Sequence, residues 1–190
     1  MYRSVAAVII AGGLLAGGVA PATSAPGPVT APQPTAASCT AQSPPSDVGN
    51  AMAWEIHRLV NEQRTQNGLA ALEVDQGVSN AAIKHSQNMA RTGIFSHVIN
   101  GKGPADRLKD ENVSFTSYGE NIYNTWCQMN GKPAYAVDGF PQKAVTAWMN
   151  SAGHRANILN PDFTHTGIGI WAIPRDNKGY MYTTQVFIER

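Results

Sequence analysis

Two of the chain's five histidines, His154 and His165, bracket one turn inside the stretch Ala144 to Ile170. His154 follows a helical pattern that carries Trp148 and stops at Ser151–Gly153. His165 comes after the break at Asn160–Pro161 and stands directly before an alternating, strand-like run. Junctions of this kind are where side chains converge on clefts. Two more groups belong with them. His97, in Phe95-Ser96-His97, lies just past a helix and off any apolar stripe, so it is free to face a cavity. Glu120, in Gly119-Glu120-Asn121-Ile122, puts a carboxylate beside a glycine that interrupts a strand pattern. Imidazole and carboxylate together are the materials of proton transfer and of divalent-metal ligation. Plainer uses exist for each. His85 sits on the apolar stripe of a helix and is expected to be a hydrogen-bonded core histidine. His57 lies off the stripe of the first helix and is expected to face solvent. Glu120 taken alone could be a solvated surface acid.

The elements that must position these residues follow from periodicity. Met52, Ile56, Leu59 and Val60 recur at helical spacing, which predicts a helix over 51–66 that Asn67-Gly68 ends. Asp75 is a plausible N-cap for a second helix to about Thr92, with Val78, Ala81, Ala82, His85 and Met89 on its inner face and Gly93 as its stop. Pro104 opens a short helix to about Asn112. Residues 115–126 have strand character, interrupted at Tyr118–Ile122. Pro141 suits the first turn of a helix that turns Ala144, Val145, Trp148 and Met149 inward. Thr166–Ala172 and Tyr180–Ile188 form a hairpin joined through Pro174–Gly179, and apolar groups on both faces of the second strand indicate cover on both sides. Helices lead, strands close the chain, and no alternating βαβ rhythm appears. The fold class is therefore α+β, an antiparallel sheet between helical layers.

Composition bounds the rest. Met1-Tyr2-Arg3 followed by the apolar run Val5–Val19 and small residues at Ala20-Pro21-Ala22 and Thr23-Ser24-Ala25 is the pattern of a secretory signal peptide over 1–25. No later stretch is long and apolar enough to span a bilayer. Residues 26–46 are rich in Pro, Ala, Ser and Thr and have too few large apolar side chains to offset the entropy of ordering, so they are expected to be a tether. The folded domain is then 47–190. Of 14 basic side chains, removal of Arg3 leaves 13 against 13 acidic ones. That neutral balance, with no Lys/Arg cluster, argues against nucleic acid as a partner. In an exported chain the two cysteines, Cys39 and Cys127, are candidates for one disulfide.

Six motifs occur in order: Asn61-Glu62-Gln63-Arg64, His85–Ala90, Ser96-His97, Gly119–Ile122, Trp148–Arg155 and His165–Gly169. Together they resemble the CAP superfamily (SCP-like; cysteine-rich secretory, antigen 5 and pathogenesis-related 1 proteins), in its bacterial extracellular branch, over the whole domain. The resemblance implies a three-layer α-β-α sandwich with a central antiparallel sheet. It also implies a cavity with two histidines and two acids. By position His97 and His165 match the histidines and Glu120 the first acid. The second acid is replaced by Ser151, and His154, three residues on, is placed to share its space. His97, His165 and Glu120 are accordingly the expected ligands of a weakly bound divalent cation such as zinc, with Ser151 and His154 in the same cavity. A hydrogen-bonded polar cluster that fixes the geometry is the alternative use of these residues.

The expected function is that of a secreted, non-enzymatic binding module whose ligand is a lipid, a sterol-like molecule or a cell-envelope component. Trp171 and the tyrosines are candidates to line an apolar groove, or to be core. No catalytic residue is assigned. The rival is a metal-assisted, peptidase-like hydrolase with Glu120 as general base, and a third reading is an envelope scaffold. No serine-nucleophile motif, His-Glu-x-x-His helix or paired carboxylates accompany Glu120.

Overall fold

The computed structural model describes residues 7–10, 37–40, 45–129, 136–137 and 139–190. The expected leader and tether thus fall almost wholly outside the described residues. Among the described residues there are five helices: α1 (Pro45–Gln66), α2 (Gln76–Thr92), α3 (Pro104–Asp110), α4 (Phe140–Met149) and α5 (Ala152–Ile158). The long strands are β4 (Ser117–Gln128), β6 (His165–Arg175) and β7 (Lys178–Glu189). The short ones are β1 (Ala7–Ile10), β2 (Ala37–Thr40), β3 (Glu73–Val74) and β5 (Ala136–Val137).

β7 is the centre of the sheet, antiparallel to β6 on one side and to β4 on the other. β3 joins β6 in parallel. Along the far side of β4, β1 pairs antiparallel at Tyr118–Asn121 and β2 pairs parallel at Cys127–Gln128. Strand alternation sorts the side chains. Even-numbered residues of β7 (Tyr182, Val186, Ile188) pack with Val78, Ala81, Ala82, Met89 and Leu108 of α2 and α3. Odd-numbered ones (Met181, Phe187) pack with Ile56, Leu59, Val60, Phe140, Trp148 and Ile158 of α1, α4 and α5. The expected α-β-α sandwich is what forms, and β7 is covered on both faces as its composition required.

Local chemistry explains most element ends. Asp75 caps α2 by accepting from the Val78 amide, and Gly93 closes it at φ 71°. The β6–β7 connection is shorter than the Pro174–Gly179 loop expected from sequence. Asp176 and Asn177 both adopt positive φ, 49° and 58°, and turn the chain in two residues, as hairpin twist requires. The interruption expected within 118–122 does not occur, and β4 runs unbroken. Gly119 instead lets α5 come close: a Cβ there would lie 2.9 Å from Asn157 Oδ1 and 3.0 Å from Phe163. Gly167 and Gly169 do the same for α2, whose backbone at Ser79 and Ile83 stands 2.2 and 2.1 Å from where their Cβ atoms would be. Any side chain in β6 at those positions would push α2 off the sheet.

Three polar side chains tie the α1 layer together. Arg64, 1 % exposed, donates to the carbonyls of Ala70, Ile158, Asn160 and Phe163, collecting the end of α5 and the loop behind it. His57, expected to face solvent, is half-buried. Its Nε2 lies 2.9 Å from the Leu72 carbonyl and 3.1 Å from Asn61 Nδ2. The carboxamide of Asn61 also brackets Leu72, so these residues hold the 69–72 strap to α1.

Candidate functional site

Glu120 and Asn121 occupy adjacent positions of β4 and therefore point to opposite faces of the sheet. Each organises a polar group in the core. On the α2 face, Glu120 is completely buried. Its Oε1 lies 2.7 Å from His97 Nδ1, and its Oε2 accepts from Arg107 Nη2 at 2.5 Å. Arg107 comes from α3 and also donates to the carbonyls of His97 and Lys102, so it fixes the loop that presents His97. His85, from α2, completes the group with Nε2 3.9 Å from Glu120 Oε1.

The electrostatics follow from this packing. Burial by itself would push the Glu120 carboxyl up. The hydrogen bond from His97 and the charge of Arg107, with smaller contributions from His85 and His97, outweigh it and hold the group below the usual carboxylate range. For His85 burial dominates. Glu120 opposes it, Arg107 adds to it, and the imidazole is pushed down to about 4, so it is neutral at pH 7. The expected hydrogen-bonded core histidine is therefore buried and neutral, but among the described residues neither ring nitrogen has a hydrogen-bond partner. The Ser96 backbone lies near enough to favour the proton without reaching hydrogen-bond geometry.

On the opposite face, Asn121 donates to the His154 carbonyl at 3.1 Å. Asn157 of α5 donates to Asn121 Oδ1 and to the Glu120 carbonyl. His154 is buried, and its Nδ1 lies 2.8 Å from Ser151 Oγ. Ser151 is the residue before α5, yet its hydroxyl makes no cap bond because the imidazole takes it. Ser151 and His154 thus share one space, as their spacing suggested.

His165 is not part of either group. Across β7 from Glu120 the ladder runs to Val186 and then to Gly167, whereas His165 pairs with Ile188. His165 is only half-buried, with Nε2 3.7 Å from Glu73 Oε2 and Nδ1 2.8 Å from Thr164 Oγ1. The expected ligand trio of His97, His165 and Glu120 therefore does not assemble. The resemblance placed His165 by its position before the strand, but the strand register carries it away. Both Glu120 oxygens are already engaged, and among the described residues no three of His, Cys, Asp and Glu come together to hold a metal ion. The donor set does not fit a resident zinc ion. Sequence reasoning missed Arg107, whose only signal was its place one turn after Pro104, and it missed Asn121 and Asn157, which look like ordinary polar residues.

Cys39 and Cys127 fall on the neighbouring strands β2 and β4, where Ala37 is the residue paired with Cys127. No free thiol stands among the described residues. Tyr123 and Tyr182 are core, whereas Trp171 and Tyr180 are half-buried beside Met89, Ile99 and Ile122.

The model of the cysteine-rich secretory protein family matches residues 57–187. The chain belongs to the CAP family. Among curated proteins it is similar to the Bacillus subtilis (strain 168) membrane protein YlbC, 40% identical over 137 residues that cover 72% of this chain and 34% of that one. It is also similar to YkwD of the same organism, 38% identical over 131 residues covering 68% and 46%. The chain thus spans less than half the length of these curated relatives. A solved Bacillus anthracis extracellular protein containing an SCP domain matches with 32% identity and a TM-score of 0.60, over 77% of this chain and 43% of that one. The CAP domain of Enterococcal PrgA, 18% identical with a TM-score of 0.53 over 76% and 63%, shares the fold. Among the described residues no helix is long and apolar enough to cross a membrane.

Proposed function

We propose that this CAP domain acts outside the cell as a binding module with no turnover of its own. One observation carries the reading: the acid that a hydrolase would use is locked. Glu120 has no exposed surface, and its two oxygens are held by His97 and Arg107. A general base must reach the proton it removes, with a lone pair to accept it. A carboxylate clamped by a guanidinium and an imidazole has spent that capacity on the fold. The second acid of the expected pair is Ser151, and its hydroxyl is engaged by His154. The extracellular location rests on the leader-like residues 1–25 and on the extracellular SCP-domain protein that the fold resembles. With its charges paired internally, the region around β4 favours an uncharged ligand, in line with the apolar or lipid-like partner expected from the family.

The test is a turnover assay and native mass spectrometry on protein collected from the medium of a secreting host. No hydrolysis of peptide, ester or cell-wall substrates is expected, together with an apolar molecule retained through purification. Turnover in the parent that disappears in Glu120→Gln, assayed well below the melting temperature of that variant, would overturn the reading in favour of a hydrolase.

A further inference from the structure

We propose that the outer edge of β4 is a binding site for an uncharged, extended peptide, which joins the sheet as an added antiparallel strand. This names the ligand class of the binding module and rests on that reading. One side of β4 is paired with β7 along its whole length, from Ser117 to Gln128. Among the described residues, the strands paired with its other side are β1 at Tyr118–Asn121 and β2 at Cys127–Gln128. The Met129 amide donates to Asn177 next to β7, so odd-numbered backbone groups turn inward. The Glu120 carbonyl accepts from Asn157 and the Ile122 carbonyl from Trp148 Nε1, so even-numbered groups turn outward. In a strand the N–H and C=O of one residue point the same way. The Glu120 amide is therefore presented at the edge, where a side chain already serves its carbonyl but the N–H requires an acceptor.

In this structure a segment of the chain itself supplies that strand. Ala7–Ile10 lies antiparallel on the edge, with Val8 opposite Glu120 and Ile9 opposite Gly119. It touches α5, so it lies where the His97–Glu120 face and the Ser151–His154 face of β4 meet. These residues belong to the apolar run read above as a removable leader. Its removal vacates the edge, and an open edge flanked by covered faces is the geometry that captures extended peptides through main-chain hydrogen bonds. The chemistry of the occupant follows from its surroundings. The carboxylate is neutralised by Arg107 and the Ser151 hydroxyl is bonded to His154, so no unpaired charge within these two groups awaits a charged peptide.

The experiment expresses the full chain in a secreting host and takes the intact mass of the exported protein. That protein is then titrated with a capped peptide of residues 5–12, and β4 amide shifts and hydrogen exchange are followed by NMR. Saturable shifts at Gly119, Glu120 and Asn121 are expected, with slower exchange of the Glu120 amide. Replacing Val8 by proline in the peptide removes one ladder donor and is expected to weaken binding about tenfold. Absence of binding, equal binding of the proline peptide, shifts confined to other surfaces, or an exported chain that keeps residues 1–25 would each overturn the proposal. The two readings fail separately. A peptide that binds the edge and is cut supports the site but sinks the non-enzymatic module, whereas an apolar adduct retained without peptide binding sinks only the site.

Discussion

Replacing Glu120 by glutamine separates a structural carboxylate from a catalytic one. The change keeps the shape of the side chain and removes its charge. Arg107, 8 % exposed, would then be a cation under α2 with no counter-ion, and the His97 contact at 2.7 Å would lose its charged partner. Breaking a buried pair by removing one member costs about 3–5 kcal/mol, because the remaining charge stays desolvated. For a domain of this size that is about 10–15 °C in melting temperature. Arg107→Leu should cost a similar amount, since it strands the carboxylate and also releases the His97 and Lys102 carbonyls. The double variant Glu120→Gln, Arg107→Leu should cost clearly less than the sum of the two single changes, with a coupling of about 2 kcal/mol or more. Thermal and urea melts followed by far-UV circular dichroism measure all three. A Glu120→Gln protein within about 1 kcal/mol of the parent would behave like an exposed ion pair, which would refute the reasoning and leave the carboxylate available for chemistry.

Four further outcomes are expected. Gly169→Ala places a Cβ 2.1 Å from the Ile83 amide nitrogen and should destabilise by about 3 kcal/mol as α2 is pushed outward, measured by urea titration. His85 takes up its proton near 6.5 when unfolded but only at about 4 when folded. Its contribution is therefore complete above pH 6.5 and lost as pH falls toward 4, about 3 kcal/mol in all, and His85→Leu should flatten that part of the stability profile. Exported protein mixed with zinc and then dialysed should retain less than an equivalent by elemental analysis, and a full equivalent would restore the metal reading. Intact mass with and without reductant should show the exported chain two hydrogens lighter before reduction, as a Cys39–Cys127 bond requires. Equal masses would refute that bond.

What could be read in the sequence was what periodicity and end chemistry carry. The face of α2 was legible because Val78, Ala81, Ala82, His85 and Met89 recur at helical spacing, and its ends because the Asp75 side chain can accept the Val78 amide and Gly93 takes a left-handed conformation that most residues avoid. The sandwich was legible because β7 is apolar on both faces. Long-range polar partners were not legible. Arg107 reaches Glu120 only because α3 folds back beneath the loop that holds His97, and nothing in the spacing of 97, 107 and 120 reports that turn. The same limit explains His165. Its place before a strand was visible, but whether it faces Glu120 depends on the register of β6 against β7 and of β7 against β4. Two ladders must both be known, and they put a glycine at the position opposite Glu120.

That glycine gives the site its logic. Gly167 and Gly169 bring the α2 backbone against β6, and this close approach is what brings His85 to Glu120 and seals the carboxylate from water. Ligation by a histidine on β6 and close packing by glycines on β6 are competing uses of one face of one strand. Here packing has prevailed, so the polar chemistry of the domain is built on β4, on the far side of β7 from β6.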